Sequence, residues 1–133
     1  MLLRAFVGLI VVDVRLRLFG LRRSIAWTEP ATAAKRPEAA ERARRYAECI
    51  ARTARHHFVR ARCLHQSLLL QRWLHEENVA SDLRIGVAKA NEALRAHAWV
   101  EIDGEVVNDA PQAVRAFAPL TDAAGVAKAQ AWL

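Results

Sequence analysis

The sequence is short of what a secreted, membrane-spanning or metal-stapled protein needs. Its 133 residues include two cysteines, one tyrosine and one methionine. Two cysteines build no disulfide framework, and a chain of this length buries enough surface to fold without one. His56, His57, Cys63, His65 and His75 crowd one stretch, yet no Cys-x₂-Cys or His-x₃-His pair accompanies them, so no metal site is expected. There is no uninterrupted apolar run of bilayer length. The opening, MLLRAFVGLIVVDVRLRLFGLRR, is apolar, but Arg4 and Asp13 break it and no small-residue cleavage site follows. It therefore reads neither as a spanning helix nor as a secretory signal. No internal repeat or low-complexity tract stands out beyond a bias to alanine. These absences point to a cytoplasmic chain with reduced thiols.

What is present is globular: 53% hydrophobic and 26% charged residues, with a net charge of +6. The charge is uneven. Residues 1–62 carry 14 Lys/Arg against 5 Asp/Glu, and residues 63–133 carry 6 against 9. A basic half is compatible with a nucleic acid, a membrane surface or an acidic partner, and equally with a solvated helix face.

Residues 2–23 read as a first helix, with Leu2, Leu3, Phe6, Leu9, Ile10, Val14, Leu18 and Leu21 near helical period and arginines crowding its end. SIAWTEPATAAKRP reads as a connector, in which Trp27 is a candidate partner contact. A second helix is expected from Pro37 or Glu38, placing Ala40, Ala43, Ala47, Ile50, Ala54 and Phe58 on one face. Cys49 within it reads as a small buried hydrophobe. A third helix, about residues 63–77, is apolar enough to be buried, with Trp73 in the core. Leu83, Ile85 and Val87 then alternate as a strand, NEALR reads as a loop, and AHAWVEI, DG and EVVND form a hairpin. The tail reads as irregular, with one short helical piece. Helices followed by an antiparallel run of three strands make an α+β fold, with N-terminal helices packed on a small antiparallel sheet.

Two places carry chemistry. Cys63 stands at the expected cap of the third helix, with Gln66 in the spacing of a capping box. A thiol there meets unpaired backbone N–H groups and the positive end of the helix dipole, and Arg60 and Arg62 add charge. All of these favour a thiolate. The hairpin carries the second set. A two-residue Asp103–Gly104 turn would put His97 and Asp109 on opposite faces and Asn108 on the histidine's face. A three-residue loop, or a bulge before Asp109, would set Asp109 against His97. One of those two devices is expected. Cysteine, histidine and carboxylate together suit nucleophilic acyl transfer, although spacing alone does not establish a triad. Trp99 shares the His97 face and either walls such a site or packs on the third helix.

RCLHQSLLLQRWL, DLRIGVAK and AHAWVEIDGEVVND, with FAPL after them, resemble the small B2-type transglutaminase-like enzymes of lasso peptide biosynthesis across about residues 60–120. The resemblance implies a transglutaminase-like or papain-like cysteine protease fold in a single domain, residues 1–133, with an N-terminal helix and connector over 1–36 and a catalytic core over 37–133. It implies a peptidase that removes the leader from a ribosomally made precursor, with Cys63 as nucleophile, His97 as base and acid, and Asp109 as orienting carboxylate. No cofactor is implied. The implied partners are the precursor peptide, a separate leader-binding recognition protein and the lasso cyclase. The chain is too short to hold a leader-binding module as well, which fits the split form of the family. The N-terminal helix is a candidate for peripheral membrane contact. Two other readings compete: a transglutaminase-like acyl transferase using the same triad, and a non-catalytic basic module binding nucleic acid or a partner. The second has only the basic half in its favour, with no aromatic-interleaved strand behind it.

Overall fold

A computed structural model describes residues 1–29, 34–57 and 62–120. Three helices come first: α1 (Leu2–Thr28), α2 (Ala40–Arg55, entered through a 3₁₀ turn at Pro37–Ala39) and α3 (Cys63–Glu76). Strands β1 (Asp82–Ala90), β2 (Ala93–Ile102) and β3 (Glu105–Val106) follow, then a single helical turn, α4 (Pro111–Val114), and strand β4 (Ala118–Pro119). The sheet is antiparallel with order β3-β2-β1-β4. The α+β arrangement expected from the sequence is present, with one strand more than expected. Ala118 and Pro119, read from the sequence as part of an irregular tail, pair with Val87 and Gly86. The rest of the expected tail, from residue 121, lies outside the described residues.

The core lies between α3 and one sheet face, with α1 and α2 laid over the helix. Leu68, Leu70 and Leu74 of α3 are fully buried, as are Val100 and Ile102 of β2. Each such side chain contributes roughly 1.5–3 kcal/mol of transfer free energy. Trp73 is in this core, as expected. Two buried polar side chains tie the layers together. Gln71 places Oε1 2.6 Å from the Thr28 hydroxyl and donates through Nε2 to the Ser81 carbonyl. It thus joins α1 to the approach of β1.

α1 departs from its expected form twice. It runs past residue 23 to Thr28, so the first five residues of the expected connector are helical, and it is interrupted at Gly20, where φ is +76°. Nothing crowds that position, so the positive φ is what favours glycine there. Ser24 then donates to the Gly20 carbonyl and is itself buried. Trp27, expected to face a partner, is half-buried against the core beneath the guanidinium groups of Arg15 and Arg72. The expected single apolar stripe is in fact two. Ala5, Leu9, Val12 and Leu16 are buried, whereas Leu3, Val7, Val11, Val14 and Leu18 lie on the opposite side and are exposed. Among the described residues, no helix is long and apolar enough to cross a membrane.

The expected start at Pro37 or Glu38 is a 3₁₀ turn, Pro37–Ala39, and α2 itself begins at Ala40 and stops at Arg55, short of Phe58, which lies outside the described residues. Cys49 is half-buried and packs against the core. The segment NEALR is no loop. Asn91 and Glu92, both at positive φ, make a two-residue turn, and Ala93 already pairs with Ala90. As a result β2 is ten residues long. The partner on its other side, β3, has only two. Most of one edge of β2 is therefore left for other groups.

Candidate active site

The direction of each peptide group along β2 follows from a few hydrogen bonds. The Ile85 carbonyl accepts from the Leu120 N–H, so Ile85 points away from β2. Its partner Ala98 then points away from β1, as does every second residue of β2. At Ile102 this outer edge is covered by β3, and at Val100 the carbonyl accepts from the Val107 N–H. At Val100 the ladder then ends in an unusual way. The Val100 N–H donates to the Asn108 side-chain oxygen at 2.8 Å, in place of a backbone carbonyl. Asn108 Nδ2 donates in turn to Ser67 Oγ on α3 at 2.9 Å, and the Ser67 hydroxyl donates to the Ala98 carbonyl at 3.1 Å. Each polar group in this chain is satisfied, as buried groups must be.

This network settles the hairpin register. Asp103 and Gly104 form a two-residue turn with φ of +50° and +81°, and Ile102 pairs with Glu105. In an unbroken ladder, Asp109 would face away from His97. Neither expected device is used: the loop does not have three residues, and the two-stranded ladder contains no bulge. Instead β3 stops after Val106, and the chain bends through residues 107–109 while the Asn108 side chain takes over the ladder bond. The bend swings Asp109 to the imidazole. His97 Nε2 donates to Asp109 Oδ2, and Asp109 Oδ1 accepts from the Ala110 N–H at 2.7 Å. Asn108, the alternative left open by the sequence, contacts Ser67 and Val100 and not the ring.

Because Nε2 serves the carboxylate, Nδ1 is the nitrogen left for the thiol of Cys63, which is hydrogen-bonded to His97. Cys63 is the first residue of α3 and not its cap. Arg62 occupies the cap position without a side-chain cap bond, and the first helical bond runs from the Gln66 N–H to the Arg62 carbonyl. The amides of Cys63, Leu64 and His65 thus have no carbonyl partner within the helix. Cys63 and Ser67, one turn apart, share a helix face, and that face docks on the outward peptide groups of Ala98. The Ala98 N–H is aimed at the sulfur, and the Ala98 carbonyl takes the Ser67 hydroxyl.

Burial raises the Cys63 pKa. The hydrogen bond with His97, the backbone N–H groups of Ala98 and Leu64, and the charge of the ring together outweigh burial and hold the thiol below the ordinary 9.0. His97 moves the other way. Its bond to Cys63 raises it, burial opposes, and Asp109 raises it further, leaving it above the ordinary 6.5. Both shifts run in the direction that favours a thiolate facing an imidazolium held by a carboxylate. Of the flanking arginines expected to do this work, Arg60 lies outside the described residues, and the chief lowering influence on the thiol is the ring.

The wall behind His97 was only partly readable. Trp99 is on the histidine's face, away from α3, with its ring 6.0 Å from the imidazole, and its indole N–H donates to Glu101 at 2.9 Å. Phe117, which sequence reasoning missed, sits 5.2 Å from the imidazole. Gly86 pairs with His97 across the sheet, and a Cβ there would lie 2.9 Å from both Trp99 and Phe117. The glycine lets both aromatics close over the strand. The only available signal for it was a glycine in the middle of an alternating strand. The remaining histidines are dispersed. His57 lies against Phe6, His65 meets Asp13, and His75 meets the Thr28 carbonyl. Among the described residues, no three His, Cys, Asp or Glu are grouped to hold a metal ion.

A helix that starts with a cysteine, packed on an antiparallel sheet that offers a histidine, with an aspartate in the bend after the hairpin, is the framework of a transglutaminase-like domain. The chain belongs to that superfamily, whose profile matches residues 6–122. It is also similar to the Microcin J25-processing protein McjB of Escherichia coli, at 43% identity over 49 residues, which is 37% of this chain and 23% of that protein. The matched stretch thus spans less than a quarter of that relative's length. No solved structure matches the chain.

Proposed function

We propose that the protein is a cysteine peptidase that removes the leader from a ribosomally synthesised lasso precursor peptide delivered by a separate leader-binding protein. The observation that carries this reading is the linked set Cys63, His97 and Asp109, in a superfamily member similar to a microcin-processing protein. In this reading the Cys63 thiolate attacks the scissile carbonyl, forming a C–S bond and an oxyanion. Amides at the start of α3 that no helical carbonyl takes are suited to hold that oxyanion. The His97 imidazolium gives its proton to the departing amine as the C–N bond breaks, leaving a thioester on Cys63. The neutral ring then takes a proton from water as it attacks the thioester, and the C–S bond breaks to free the acid and return the Cys63 thiolate beside the imidazolium. Asp109 keeps Nδ1 turned to the sulfur and stabilises the imidazolium.

The test is to incubate the purified protein with a precursor peptide and the leader-binding protein, following cleavage by mass spectrometry, with Cys63→Ala in parallel. The expected result is one leader and one core fragment with the wild type and none with the variant. Cleavage that survives the substitution would remove the peptidase reading. A product joined to an added amine in preference to water would move the assignment to acyl transfer through the same thioester.

A further inference from the structure

The edge of β2 that β3 leaves uncovered does not stop at Ala98. Continuing toward the start of the strand, Ala96 and Leu94 pair with Val87 and Lys89, one and two two-residue steps from the Ala98–Ile85 pair. Their N–H and C=O groups therefore point to the same outer side as those of Ala98. Among the described residues, neither Ala96 nor Leu94 makes a hydrogen bond on that side. Leu94 is 49% exposed, and among the described residues after α1 it is the only large exposed hydrophobic. An edge strand with unused peptide groups and an exposed apolar side chain is a template for another strand. Here it runs directly into the Cys63 sulfur, because that sulfur and Ser67 occupy the next position along the edge, at Ala98.

We infer that the substrate binds as an added β-strand on this edge, its own backbone pairing with Ala96 and Leu94 so that the next carbonyl along falls over Cys63. The inference rests on the peptidase reading and names how the peptide is held. Recognition of this kind draws its affinity from main-chain bonds and tolerates varied side chains. The exposed Leu94 adds apolar contact on one face of the added strand. Successive paired residues of β2 are about 6.6 Å apart along the strand, so two pairing positions cover a segment of roughly four residues beside the sulfur.

The test has a protein arm and a peptide arm. Ala96→Pro removes one edge donor, and because that N–H points outward the β1–β2 ladder keeps its bonds, which is where proline is tolerated in sheets. The expected result is a fall of about tenfold or more in kcat/KM for precursor cleavage, while the rate of alkylation of Cys63 by iodoacetamide, which needs no strand pairing, holds. In the peptide arm, tripeptidyl chloromethyl ketones label Cys63, and N-methylation of a single backbone nitrogen slows labelling by a similar factor while side-chain changes matter less. If wild type cleaves the precursor and Ala96→Pro cleaves it equally well, the edge is not used and the peptidase reading stands. If wild type cleaves nothing, that reading falls, and the peptide arm still decides the edge: equal labelling by methylated and unmethylated probes overturns it. The peptide arm likewise decides should the proline variant not fold.

Discussion

Among the described residues there are two histidine–aspartate pairs, and their differences show what makes one of them a candidate for chemistry. His97 and Asp109 meet at the edge of the sheet. His65 and Asp13 meet between α3 and α1, with Nε2 3.1 Å from Oδ1. Both pairs are largely shielded, with side-chain exposures of 22% and 29% for the first and 13% and 15% for the second. What distinguishes them is the other ring nitrogen. In His97 it faces the Cys63 thiol, whereas Nδ1 of His65 is buried and without a hydrogen-bond partner among the described residues. The carboxylates also differ. Burial raises Asp13, but His65 and Arg17 outweigh it and hold the group below 3.8, so its charge is shared with an arginine 2.7 Å away. Asp109 divides its oxygens between the ring and its own turn. A carboxylate beside an imidazole is thus common structural currency, and a nucleophile on the far side of the ring is what turns the pair into a candidate site.

That contrast can be broken in graded steps. Cys63→Ala should have the largest effect, a loss of peptidase activity of about 10⁴-fold or more with circular dichroism unchanged, since removal of a nucleophile removes the covalent route. Asp109→Asn should lower kcat by about 10²- to 10⁴-fold by misorienting the ring. It should also alter the pH profile. Activity requires thiolate and imidazolium together, so it should rise through an acid limb below 9.0 and fall through an alkaline limb above 6.5, the limbs belonging to the coupled pair. Losing the Asp109 charge removes support for the imidazolium, so the alkaline limb should move to lower pH. Asn108→Ala should act at one remove. It leaves the Val100 N–H without its acceptor and frees the bend that delivers Asp109, costing about 1–3 kcal/mol in denaturant unfolding and lowering activity by less than Asp109→Asn does. Asp13→Asn should have the smallest effect: activity within about twofold and a stability change of about 1 kcal/mol or less. An Asp13 variant as impaired as the Asp109 variant would erase the distinction between the pairs.

The sequence made the parts of the site readable and left their joining mechanism hidden. Cys63 at a helix start, His97 in a strand and Asp109 at the end of a hairpin all follow from local signals, and those three residues do come together. The register that joins them did not follow, because it depends on a side chain, Asn108, replacing a backbone carbonyl, and on Ser67 from a helix 41 residues earlier accepting its amide. Alternation rules count residues and cannot see such a substitution. Phe117 and β4 escaped for a similar reason: a two-residue strand has no period to detect. α1 misled in the opposite direction, since apolar residues on two faces merge into one broad stripe when only spacing is read. Its extension past Gly20 rests on Ser24 and Thr28 finding buried partners, which composition alone marks as a connector.

The most direct measurement is the pH dependence of Cys63 alkylation by iodoacetamide, read peptide by peptide by mass spectrometry so that Cys49 is scored separately, in the wild type and in His97→Ala. Cys63 is expected to react below the pH at which an ordinary thiol ionises, and removing the ring is expected to move its titration upward. A Cys63 titration that is the same with and without His97 would contradict that expectation.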